Sequence, residues 1–137
     1  MASKRVASLI AGTLLLSHGV AADAAGTLGP VLTGTWGGPQ IQLALRADGG
    51  EIALACAAVH IGAAVQIDTG GNFSASGQYE AFAGGQAPAD QPPLLTRVQV
   101  SGHVDGETLH LSIQRAAVAT ETHSLTQGRR TKLIRCQ

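Results

Sequence analysis

Aromatic side chains are scarce in this 137-residue chain, which has one Trp, one Tyr and two Phe, 3% of the residues. A densely packed aromatic core is therefore excluded. Charge is scarce too: charged residues make up 13%, nine basic against nine acidic. Nucleic-acid binding needs a concentrated basic surface to neutralise phosphates. The one basic cluster, Arg129, Arg130, Lys132 and Arg135, reads instead as a solvated turn and strand face, so no nucleic-acid partner is expected. No Gly-x-Ser-x-Gly elbow, phosphate loop or dinucleotide fingerprint occurs. What is present is a 45% apolar chain, too apolar for disorder, punctuated by 18 glycines.

Lys4 and Arg5 precede an apolar run from Val6 to Leu16, followed by small residues ending in Ala22-Asp23-Ala24. This is the pattern of a secretory signal peptide spanning 1–24. The apolar run is well short of the roughly 20 residues a helix needs to cross a bilayer. No cysteine follows to take a lipid, so no membrane attachment is expected after cleavage. Removing 24 residues leaves 113, enough for a single domain over 25–137 with a modest core. The remainder is nearly neutral, and the expected location is the periplasm or the exterior. Cys56 and Cys136, the only cysteines, are expected to form a disulfide in that oxidising compartment. Their wide spacing is unlike a redox dithiol.

Alternation and turn residues give hairpins almost residue by residue. Asp48-Gly49 is a two-residue turn signal. Centred there, the pairing sets Leu45 against Ile52, Leu43 against Leu54 and Ile41 against Cys56 on one face, with Arg46 against Glu51 on the other, so Cys56 is expected to point inward. Ala55 to Ile67 fits either helix or strand. Its β-branched Val59, Ile61, Val65 and Ile67 favour strand. A three-residue loop at Thr69–Gly71 then sets Ile67 beside Phe73, Val65 beside Ala75 and Ile61 opposite Tyr79. Residues 84–93, rich in glycine and proline, form the main irregular loop. Asp105-Gly106 turns the next hairpin, with Val104 against Glu107, Gly102 against Leu109, Val100 against Leu111 and Val98 against Ile113. Its other face carries Arg97, Gln99, Ser101 and His103 against Thr108, His110, Ser112 and Gln114, with Ser101 opposite His110. A last pair, about Thr122 to Gln127 and Thr131 to Cys136, turns through Gly128-Arg129-Arg130. Eight or nine strands in succession predict an all-β, small antiparallel up-and-down barrel.

The stretch Thr33-Gly34-Thr35-Trp36 resembles the opening strand of the calycin barrels, the lipocalins and avidins. In those families a Gly-x-Trp closes the bottom of the barrel. The resemblance implies that Trp36 is a buried barrel-closing residue and that an arginine of the last strand, Arg135 by position, packs over it. Strict alternation puts Arg135 and Cys136 on opposite faces, so both point inward only if a bulge intervenes. No biotin-binding residue is carried over. The wider layout, with Trp36-Gly37-Gly38, a cysteine on the next hairpin and a C-terminal cysteine, is similar to small secreted bacterial proteins of unassigned function.

Candidate chemistry is sparse. His103 and His110 are diagonal neighbours in this register, and two ligands are too few for a stable zinc site, so no metal is expected. Asp48, Asp68 and Asp105 each sit in a turn, where aspartate bonds its own backbone. No inward carboxylate pair arises. No cofactor and no catalytic residue is expected. The leading expectation is a non-enzymatic barrel binding a small apolar ligand or a protein, with Ala75, Gly77 and Gly102 either leaving space inside or letting the barrel pack tightly. Alternatives are a periplasmic protease inhibitor resembling the small disulfide-bonded barrels that block secreted bacterial metalloproteases, a resemblance that implies Ala25 to Pro30 entering the protease cleft, and a hydrolase whose residues converge only in three dimensions.

Overall fold

A computed structural model describes residues 29–82, 92–134 and 136. The expected signal peptide 1–24, most of the expected loop 84–93 and Arg135 lie outside the described residues. The chain forms eight antiparallel strands: β1 Gly34–Gly38, β2 Ile41–Arg46, β3 Gly49–Leu54, β4 Ala57–Ile61, β5 Asn72–Ala81, β6 Leu95–Asp105, β7 Thr108–Arg115 and β8 Glu121–Gln127. Each pairs with the next, and β8 returns to β1 through Trp36↔Gln127 and Gly37↔Thr126. The result is a closed up-and-down barrel with no helix among the described residues.

Its interior follows the period-two pattern. Trp36, Ile41, Leu43, Leu45, Ile52, Val59, Ile61, Val98, Val100, Leu109, Leu111, Ile113 and Leu125 are buried together, and no polar residue among those described is fully buried. Small inward residues are filled rather than hollow. A Cβ on Gly102 would stand 2.5 Å from the Phe73 ring, and one on Gly77 2.8 Å from Val59. Large side chains thus occupy the room the glycines vacate, which is how interiors reach close packing.

Two hairpin registers differ from expectation by two residues. In β2–β3 the pairs are Leu45↔Gly50, Leu43↔Ile52 and Ile41↔Leu54, and the turn is Ala47-Asp48. Gly49 is needed within the strand instead. Its φ is 150°, and a Cβ there would lie 2.2 Å from the Ile61 carbonyl oxygen. Arg46 consequently faces Gly49, not Glu51, and lies 3.6 Å from Asp48. Cys56 has no partner on β2; it is exposed at the bend after β3, correcting its inward placement. In β6–β7 the pairs are Val104↔Leu109, Gly102↔Leu111, Val100↔Ile113 and His103↔His110. The turn is Gly106-Glu107, with φ 60° at Gly106, as a type II′ turn requires at its first central residue. Both shifts are even, so each apolar side chain keeps its expected face.

The Ala55–Ile67 stretch contains no helix, and its strand stops at Ile61, where Val59 rather than Ile61 faces Tyr79. The three-residue loop is nonetheless present. Asp68 N–H bonds the Asn72 carbonyl at 2.9 Å, and the Asp68 carboxylate accepts from the N–H groups of Gly70 and Asn72. Residues 62–67 absorb the difference in register. They leave the ladder and are held by the segment before β1, through Leu32 N–H to Val65 O and Ile67 N–H to Pro30 O, with Val65 still buried.

The expected ninth strand is absent, because Thr131–Ile134 bond to side chains and to the β1–β2 turn rather than to a neighbouring ladder. The Gln42 amide donates to the Trp36 and Arg129 carbonyls and accepts from Thr131 N–H at 2.7 Å. Thr131 Oγ1 donates to Gly38 O, and Ile134 N–H to Gln40 Oε1. Cys136 N–H reaches Ala55 O, and its sulfur is bonded to Cys56 with the Cα atoms 5.2 Å apart. The disulfide expected from the sequence is therefore present.

Candidate functional site

Alternation along β7 places Arg115 on the inward side after Leu109, Leu111 and Ile113, and along β8 it places Glu121 and His123 there before Leu125. Arg115 and Glu121 stand at the barrel end where β5 finishes, and Tyr79 on β5 also faces in. The Arg115 guanidinium lies 4.2 Å from the Tyr79 ring centroid and 3.4 Å from the Glu121 carboxylate. The other Glu121 oxygen is 3.6 Å from His123 Nε2, which is shielded from solvent and makes no hydrogen bond among the described residues. Four polar groups thus cap an apolar barrel at its mouth. The cation over the ring and the shared carboxylate hold them together. The sequence reading missed this group; its signal was the even spacing of Arg115 from Ile113 and of His123 from Leu125.

Outside the barrel, just below the mouth, is a trough of about 450 Å³. Outward Ala53 and Ala58, paired across β3–β4, help form it with Phe82, Leu133, Cys136 and Glu51. Phe82 is 49% exposed. Alanines leave the wall shallow at that point, and the disulfide draws Cys136 alongside Cys56. Next to Glu51 stands His60, whose Nδ1 is 3.5 Å from Glu51 and whose Nε2 is 2.9 Å from Glu80. The two carboxylates address opposite sides of the ring, so they do not converge on one ion. Among the described residues no group of three His, Cys, Asp or Glu side chains is arranged to hold a metal.

The residues singled out from the sequence fall in different places. Trp36 is 2% exposed, its ring packed over Gly34 towards the end opposite the mouth, and its indole N–H has no partner among the described residues. His103 and His110 lie on the outer wall, directly opposite one another instead of diagonal. Ser124 Oγ is 3.3 Å from His110 Nδ1. That serine–histidine pair has no carboxylate on the far ring nitrogen among the described residues, so it lacks the third member that orients a catalytic base. Comparison with family models, curated proteins and solved structures finds no match to this chain.

Proposed function

We propose that this is an exported, non-enzymatic β-barrel that binds a protein partner, an extended apolar segment of which seats in the trough between Phe82 and Leu133. The observation that carries this reading is the trough itself, a recess in the outer wall lined mostly by apolar side chains. Glu51 at its edge, with Glu80 beyond His60, favours a segment carrying a cationic residue at that end. A small ligand held inside has less support, since Phe73 and Val59 fill the space over Gly102 and Gly77. Trp36, buried in a first strand that closes onto the last, supports a calycin-like origin for the barrel. The disulfide supports an oxidising location, periplasmic or extracellular.

The test places a photoreactive aromatic side chain at Phe82, which lines the trough and is exposed, and, as control, at Ser112 on a different part of the wall, in cells that export the protein. We expect one partner captured from position 82, not from Ser112, and lost in Glu51→Arg; the intact mass should lack residues 1–24. Equal capture from both positions, or none, defeats the reading. A small molecule retained in native mass spectrometry would restore ligand carriage. The inhibitor reading keeps one observation in its favour: Pro30–Leu32 is bonded to Val65–Ile67, giving the N-terminal segment a fixed root. Inhibition of a secreted metalloprotease that disappears when residues before Gly29 are deleted would support it.

A further inference from the structure

The outer wall carries a transverse row of four side chains, one from each of β5 to β8. Asn72 is the register partner of His103, His103 of His110, and His110 of Ser124. The two outer members bond the two inner ones: Asn72 Oδ1 is 3.0 Å from His103 Nδ1, and Ser124 Oγ is 3.3 Å from His110 Nδ1. An amide oxygen can only accept, so this contact is a hydrogen bond in the tautomer that carries the His103 proton on Nδ1, the form that leaves the Nε2 lone pair free. A serine hydroxyl can accept from His110 in the same way. Gly71 adds to the setting, because a Cβ there would come 3.4 Å from His103 Cε1, and its absence lets the ring lie against the loop.

We infer that His103 and His110 form a two-imidazole clip for a borderline divalent transition-metal ion, of the Cu2+, Ni2+ and Zn2+ class, bound through the two Nε2 atoms. Directly opposed residues have Cβ atoms about 4.5–5.5 Å apart, within reach of one ion at the usual metal–imidazole distance of about 2.0–2.1 Å. Bonding the far nitrogen to a neutral acceptor is how proteins orient ligating histidines, and both rings have such a neighbour. The expectation that no metal binds rested on there being only two ligands, a number the structure leaves unchanged; what the two-residue shift in β6–β7 adds is direct opposition in place of a diagonal placement. Two protein ligands leave the other positions to water. The clip therefore takes an exchangeable ion, with Cu2+ preferred over both Ni2+ and Zn2+ by the general order of divalent affinities.

The test is calorimetric titration of the folded, disulfide-bonded protein, free of any histidine tag, with Cu2+, Ni2+ and Zn2+. Saturable binding of one ion per chain is expected, weakened at least roughly tenfold by His103→Gln or His110→Gln and unchanged by His60→Gln. Asn72→Leu should weaken it by roughly tenfold while leaving both ligands in place, and Asn72→Asp should restore it. In the unaltered protein, Cu2+ should broaden the imidazole proton resonances of His103 and His110 before those of His60 and His123. Binding that survives the double His103→Gln, His110→Gln change, or broadening that begins at another histidine, would overturn the assignment, as would no saturable binding.

Discussion

Trp36 is the largest side chain in the core and carries a buried N–H with no partner among the described residues. These facts act in opposite directions on a substitution. Trp36→Ala removes the ring and should destabilise the fold by about 3–5 kcal/mol, in line with other large core truncations. Trp36→Phe keeps most of the apolar surface and deletes a donor whose burial is unfavourable, so it should cost distinctly less. Denaturant unfolding of both variants checks the pair, and the native protein should show the emission of a buried indole. Equal losses in the two variants would mean that the N–H has a partner. At the same scale, Gly49 and Gly102 matter for what they let approach, a carbonyl oxygen in one case and the Phe73 ring in the other.

At the scale of elements, the C-terminal segment replaces an expected strand with a strap tied by a side-chain amide. Gln42 sits on the outer side of β2 and offers both donors and its acceptor to backbone groups, much as a peptide unit would. Gln42→Leu keeps the bulk and removes all three bonds. About 1–2 kcal/mol of stability should be lost, the range for a few hydrogen bonds whose partners can turn to water. Amide exchange at Thr131 should quicken in this variant; an unchanged rate would show that the strap is held elsewhere. The β1–β2 turn contributes through Pro39 and Gln40, the latter at φ 60°, with Gln40 Oε1 accepting from Ile134 N–H.

For the molecule as a whole, the Cys56–Cys136 bond joins the bend after β3 to the end of the strap across a separation of 80 residues. Chain-entropy reasoning puts the stabilisation from a loop of that size at roughly 4–5 kcal/mol. Reduction should therefore lower Tm markedly, and the unreduced protein should offer no thiol to an alkylating reagent. Full labelling of both cysteines under native, non-reducing conditions would contradict the bond. Because β8 closes onto β1, the strap and disulfide are additions to a barrel already complete in its ladder. The reduced protein is thus expected to keep its strand signature in circular dichroism below its lowered Tm.

The sequence by itself determined the class of fold, the disulfide and the face on which the central side chains fall. Facing is a local property with a period of two, so the apolar sides of β2, β6 and β7 were legible without knowing what packs on them. Turns were legible to within one residue, since Asp48-Gly49 and Asp105-Gly106 mark the bends but not which residue takes the positive φ. Tertiary structure decided the registers: Gly49 belongs to β3, where the Ile61 carbonyl of β4, outside the hairpin that carries the turn signal, comes too close for any Cβ. It likewise ended β4 at Ile61 and sent the last residues across β1 and β2, where partners from remote parts of the chain compete with local strand propensity. The candidate sites follow the same division. His103 and His110 could be placed on one outer face from alternation alone, but their direct opposition, and the meeting of Tyr79, Arg115, Glu121 and His123 at the mouth, depend on how β5, β7 and β8 are set in the closed barrel.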